Sequence, residues 1–299
     1  GFGFLLIWLA ISTARNVFGG QAGLLAGLLL ASSPLFGHVL AECRAFAPEA
    51  VFLAGSFYFL VAGYQRGRLR SFVFAGFCGA GAWLTRETGG FMLPVLFVAG
   101  LLVPGTMAER SVRAMAASGA MLAVIALELL TYFLATGDPL YRAGFSLNHG
   151  GGKAGTQMVF EAQNAAPLDF LVTPITQLLT NGAVMGGGVA LAIGLIWLVV
   201  RRRWPFETGV QYYLAGLMVM AMGAAFVINA YVLSLEEPFY FIIVPYGLVF
   251  LGAAALAGAF RTMGGRWQAA VVAAILAFNI GMIDTRQDRG AEDSRELAR

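Results

Sequence analysis

Glu42-Cys43-Arg44-Ala45-Phe46-Ala47-Pro48-Glu49 decides how this chain folds. The stretch lies between an apolar run that ends near Phe36 and another that starts at Pro48. It sets two carboxylates and a guanidinium into sequence that is otherwise almost all hydrocarbon. Charges so close to lipid are costly unless they face water, a partner or a substrate. The pattern predicts a membrane scaffold with its chemistry at one rim. Composition agrees, with 59% apolar and 12% charged residues and a mean hydropathy of +0.77. Soluble domains average about 45–50% apolar and about 25% charged. The fold class expected is all-α, a polytopic transmembrane helical bundle.

On either side of that stretch, apolar runs predict roughly ten spans, since a span needs about 20 apolar residues. They are Gly1 to Thr13, Gln21 to Phe36, Pro48 to Gly63, Ser71 to Leu84, Gly89 to Val103 and Ala114 to Leu134. Leu171 to Val200, Val210 to Leu233, Phe239 to Phe260 and Trp267 to Ile283 complete the set. Residues 1–283 are expected to form one membrane domain. The polar stretch 284–299 mixes both signs without aromatics and reads as a solvated or disordered tail. Pro48 suits the first turn of its helix.

Alternate loops carry Arg15, then Arg66, Arg68 and Arg70, then Arg110 and Arg113, then Arg201, Arg202 and Arg203, then Arg261 and Arg266. The opposite loops carry Arg44, Arg86, Arg142 and Lys153. The arginine-rich side is expected to be cytoplasmic. Scattered arginines and a net charge of +3 do not make a nucleic-acid surface. Two cysteines, Cys43 and Cys78, are too few for a disulfide framework or a metal knuckle. A single lysine with abundant Ala, Gly and Arg suggests a bacterium with a GC-rich genome, and so the inner membrane.

Acids gather on the outer side: Glu42, Glu49, Glu87, Asp138, Glu161, Asp169, Glu236 and Glu237. Glu49 falls in the first turn of a helix, where a carboxylate either caps the dipole or meets a substrate. Arg44 and Arg86 are the forks that recognise phosphate in a bidentate way. Arg86-Glu87 is alternatively an adjacent surface pair of little worth. Glu128 is the one acid inside a clear span. Such acids mark functional sites by default, although an interhelical bond to Arg44, Arg86 or Arg142 reads equally well. Thr136-Gly137-Asp138-Pro139 is a helix stop and turn, after which Arg142 emerges beside the membrane. The loop Asn148-His149-Gly150-Gly151-Gly152-Lys153 is not a P-loop, because its spacing and context are wrong. Glu236-Glu237-Pro238-Phe239-Tyr240 offers carboxylates for a cation or a sugar. Tyr240 and Tyr246 also fit an interfacial aromatic belt.

The order of these motifs resembles a known group. Arg-x-x-x-Pro-Glu at Arg44 to Glu49 precedes Leu-Thr-Arg-Glu-Thr at Leu84 to Thr88. Thr-Gly-Asp-Pro-Leu-Tyr-Arg follows at Thr136 to Arg142, then Glu-Pro-x-Tyr-x-x-x-x-Pro at Glu237 to Pro245. The set resembles polytopic GT-C glycosyltransferases, in the group with protein O-mannosyltransferases, aminoarabinose transferases and bacterial Rgt-like enzymes.

That resemblance implies an inverting transfer of a sugar from a polyprenyl-phosphate donor to a glycan, lipid or protein acceptor on the non-cytoplasmic side. It implies phosphate or substrate contacts for Arg44, Arg86, Asp138, Arg142, Glu237 and Tyr240, and supporting roles for Glu49, Glu87 and Glu128. The family's catalytic Asp lies in the first outer loop. On this alignment the chain opens in the second span, so no residue here takes that role. The residues fix no cofactor, and a divalent cation is left open. A transporter or flippase for a lipid-linked or anionic solute is the alternative. It would call for inverted repeats and broken helices at mid-membrane, whereas the ionisable groups here gather at the rim.

Overall fold

The computed structural model describes residues 1–34, 36–37, 46–142, 172, 175–176, 185–228 and 242–297. These residues form ten α-helices and one 3-10 turn, with no strand among them. In chain order they are α1 (Phe2–Phe18), α2 (Gly20–Ala31), α3 (Phe46–Arg66), α4 (Leu69–Thr85), the 3-10 turn (Glu87–Phe91) and α5 (Met92–Leu102). Then come α6 (Met107–Thr136), α7 (Met185–Val200), α8 (Gly209–Val227), α9 (Ile243–Phe260) and α10 (Gly265–Leu297). The last of these carries helical backbone into the polar tail.

The expected ten spans are corrected to four. Among the described residues only α3, α6, α8 and α9 are long and apolar enough to cross a membrane. The reason is length. Gly19 turns the chain with φ 95° ahead of the second apolar run, and the helix that follows ends at Ala31, after 12 residues and before the run does. The 3-10 turn takes the start of another run and leaves 11 residues for α5. At 1.5 Å per residue these are about 18 and 17 Å long, short of a hydrocarbon core of about 30 Å. The protein remains a multi-pass membrane protein, with short apolar helices packed among longer ones.

Local chemistry sets the ends of α6. Thr106 and Glu109 form a reciprocal capping box at its start. Gly137 ends it in the left-handed region (φ 77°), with its N–H on the Phe133 carbonyl. The expected stop at Thr136-Gly137-Asp138-Pro139 therefore stands where the sequence set it.

Helix α3 packs on α4, and α6 packs on both α4 and α5. At Gly76 a Cβ would lie 2.2 Å from the Ala117 carbonyl oxygen, so α4 and α6 meet backbone to backbone. In the other half α9 packs against α2, α7 and α8. Its apolar window is 89% buried, that of α6 only 22%. Helix α9 is thus a core element, whereas α6 turns most of its apolar surface outward, as a lipid-facing helix does.

The alternating directions of α3 to α6 bring Phe46, Thr85, Glu87 and Thr136 to one end of the bundle. The opposite end carries Arg66, Arg68, Arg110 and Arg113. Gln65 of α3 donates to the Asn16 carbonyl there, which anchors α1 at the same end.

Candidate functional site

Five ionisable side chains meet at the Phe46 end, in two joined groups. The first is built on α3. Glu49, in the opening turn, is 2% exposed, and Thr88 donates to its Oε1 at 3.0 Å. Its Oε2 has no hydrogen-bond partner among the described residues and lies 3.8 Å from Arg86 Nη1. The Arg86 guanidinium rests over the Phe46 ring, 4.0 Å from its centroid, a cation–π contact. Burying a carboxylate is costly unless a cation and hydrogen bonds accompany it. Arg86 and Thr88 supply both, from a turn held tightly on α4. A Cβ at Gly89 would come within 2.6 Å of the Ala82 backbone, so only glycine lets the 3-10 turn lie there.

The second group is centred on Arg142. Its Nε donates to Glu87 Oε1 at 2.8 Å, its Nη1 to Glu128, and its Nη2 to the Trp83 carbonyl at 2.9 Å. Trp83 Nε1 donates to the other Glu128 oxygen at 2.6 Å. Each guanidinium nitrogen thus faces an acceptor, and both Glu128 oxygens are occupied. The local chain explains how Arg142 gets there. Gly137 turns it back, Asp138 Oδ1 accepts from the Leu140 N–H at 2.8 Å, and the Tyr141 ring packs on Tyr132 of α6 at 6.0 Å.

The structure brings together Glu49, Arg86, Glu87, Glu128 and Arg142 among the expected residues. Asp138 caps its own turn. Arg44, Glu237 and Tyr240 lie outside the described residues, as do Lys153, His149 and the acids Glu42, Glu161, Asp169 and Glu236. Among the described residues no three carboxylates, imidazoles or thiols converge as a metal site. Sequence reasoning missed two donors, Trp83 and Thr88. A Trp N–H near the end of an apolar helix needs an acceptor, and Glu128 is the one acid in the adjoining span. That was the available signal for Trp83. For Thr88 there was none, since a hydroxyl on a turn is common.

Residues 2–136 match the family model described as dolichyl-phosphate-mannose-protein mannosyltransferase. The matched stretch is just under half of the chain. It comprises α1 to α6 and holds every member of the two groups except Arg142. No curated protein and no solved structure matches the chain. A glycosyltransferase-type family model thus covers the stretch of this membrane protein that carries the polar cluster.

Proposed function

We propose that this protein is a membrane glycosyltransferase working at the end of the bundle that carries Glu49, Arg86, Glu87, Glu128 and Arg142. The reaction moves a sugar from a polyprenyl-phosphate donor to an acceptor on the non-cytoplasmic face of a bacterial inner membrane. The acceptor hydroxyl oxygen bonds to the anomeric carbon as the bond to the phosphate oxygen breaks. The acceptor proton passes to a carboxylate, and the polyprenyl phosphate leaves. The observation that carries this reading is a coincidence of place. The family match ends at Thr136, and within it lie all but one of the ionisable groups that gather at one rim of the bundle.

In this reading Arg44 and Arg86 provide positive charge for the donor phosphate, which would otherwise be stranded near lipid. Glu49, itself held by Thr88, and the Phe46 ring hold Arg86 in place. Arg142 is a positioning residue, because Glu87, Glu128 and the Trp83 carbonyl already occupy its nitrogens. Glu237 and Tyr240 are assigned to the substrate side, and the proton-accepting group is assigned to no residue of this chain.

Donor binding tests the reading. Arg86→Gln alone would strand the buried Glu49, so the informative variant joins it to Glu49→Gln. In full-length protein reconstituted with a fluorescent polyprenyl-phosphate sugar, the double variant and Arg44→Gln should each bind donor about tenfold more weakly or worse. That is the scale of one lost charged hydrogen bond, about 1.5–3 kcal/mol. Folded variants with unchanged donor affinity would remove both arginines from the site. Passage of an anionic solute through wild-type vesicles without sugar transfer would favour a transporter.

A further inference from the structure

Helix α7 runs into a turn of three arginines, Arg201-Arg202-Arg203. The Arg203 N–H donates to the Leu198 carbonyl at 2.8 Å and the Arg202 N–H to the Val199 carbonyl at 2.9 Å. That pair of bonds is a Schellman motif, which needs a left-handed residue, usually glycine. Here the residue is Arg202, with φ 51°, and no other non-glycine residue among those described has a positive φ. A side chain is strained in that conformation. Arg202 is exposed, and among the described residues no carboxylate pairs with Arg201, Arg202 or Arg203. Orientation in the membrane accounts for positive charge at this end. It does not account for an arginine at the one place where glycine would relax the chain.

Packing holds the turn against α9. Trp197 Nε1 donates to Thr262 Oγ1 at 3.0 Å, and the Arg201 guanidinium lies over the Trp197 ring, 5.1 Å from its centroid. A Cβ at Gly258 would lie 3.8 Å from the Cα of the buried Pro205. Phe206 meets Phe18 of α1 at 5.9 Å between ring centroids, which puts the turn at the arginine-rich end. Glu207, the acid nearest in sequence, is taken by Arg261 at 2.6 Å. In the last turn of α7, Ile196, Val199 and Val200 are exposed on one helix face. Trp204 is exposed just past the arginines. A basic rim thus stands over an apolar strip, with a tryptophan at the junction, the order met at a bilayer surface. Guanidinium forks recognise phosphate, and the strip suits an alkyl chain.

We infer that this turn docks an anionic phospholipid, with its phosphate on Arg201 to Arg203 and an acyl chain along Ile196, Val199 and Val200. The site lies at the end of the bundle opposite the Glu49 to Arg142 cluster and does not depend on the reaction proposed there.

Photolabelling tests it. The full chain in phosphatidylcholine nanodiscs receives a trace of phosphatidylglycerol with a diazirine on one acyl chain, and separately the matching phosphatidylcholine. The anionic probe should label the peptide spanning Leu195 to Val200 about tenfold more than the zwitterionic one, since each arginine near an anionic surface is worth about 1 kcal/mol. Arg202→Gly should cut the anionic labelling about fivefold, the scale of one such arginine. The same change relaxes the turn, so the melting temperature in lipid-free detergent should rise by about 2 °C. Arg68→Gln removes a charge from the same end outside the turn and should leave the labelling intact. Equal labelling by the two probes overturns the inference, as does labelling that Arg202→Gly leaves unchanged. A lower melting temperature for Arg202→Gly would show that the side chain serves the fold, and equal losses with Arg68→Gln would show a general field; either result overturns the site.

Discussion

Glu128 and Arg142 are 14 residues apart, and a single turn brings them together. One guanidinium then serves two carboxylates, Glu87 and Glu128, so its removal would take the same ion-pair partner from both. Arg142→Ala should therefore cost about 1.5–3 kcal/mol, the scale of a charged hydrogen bond at a half-buried site. Adding Glu87→Gln should recover part of that loss. Thermal unfolding of the two single variants and the double in detergent would show a coupling of about 1–3 kcal/mol, and additivity within about 0.5 kcal/mol would exclude a shared site. At this scale the sequence told much about which residues matter and little about who bonds whom. Glu128 announced itself as an acid in an apolar span, and Arg142 stood among its possible partners. Trp83 and Thr88 did not, because a donor that completes a bond through space leaves no periodic trace along the chain.

At the level of elements, helix type and order follow the apolar runs, and the stop at Gly137 follows its left-handed φ of 77°. The number of spans does not, because α2 stops at Ala31 while its apolar run goes on, and a 3-10 turn takes up Gly89-Gly90 at the start of another run. The contact between α4 and α6 is equally hidden, since glycine at position 76 reads only as a small residue. There Gly76→Ala would push a methyl against the Ala117 carbonyl oxygen at 2.2 Å. Overpacking of this kind should lower stability by about 1–3 kcal/mol and shift Trp83 fluorescence as the Trp83–Glu128 bond loosens. Gly119→Ala on α6, where nothing lies within 4 Å, should be neutral or stabilising by about 0.5–1 kcal/mol. Equal losses at the two glycines would refute the close approach.

For the whole molecule, the division of charge between its two ends carries the orientation. With Cys43 and Cys78 replaced by serine, a cysteine at Leu140 should react with an impermeant thiol reagent in intact cells. Cysteines at Arg68 and Arg202 should not react until the membrane is opened. The reverse pattern would turn the bundle over and put the cluster on the cytoplasmic side. The Gly137 turn has a further bearing, on timing. Every described member of the cluster lies within residues 46–142, and Arg142, the last of them, folds back on the helix it has just left. Domains generally fold N-terminal first during synthesis. The charged cluster of the rim can therefore be assembled while α7 to α10 are still being made, ahead of the stretch that carries Glu237 and Tyr240.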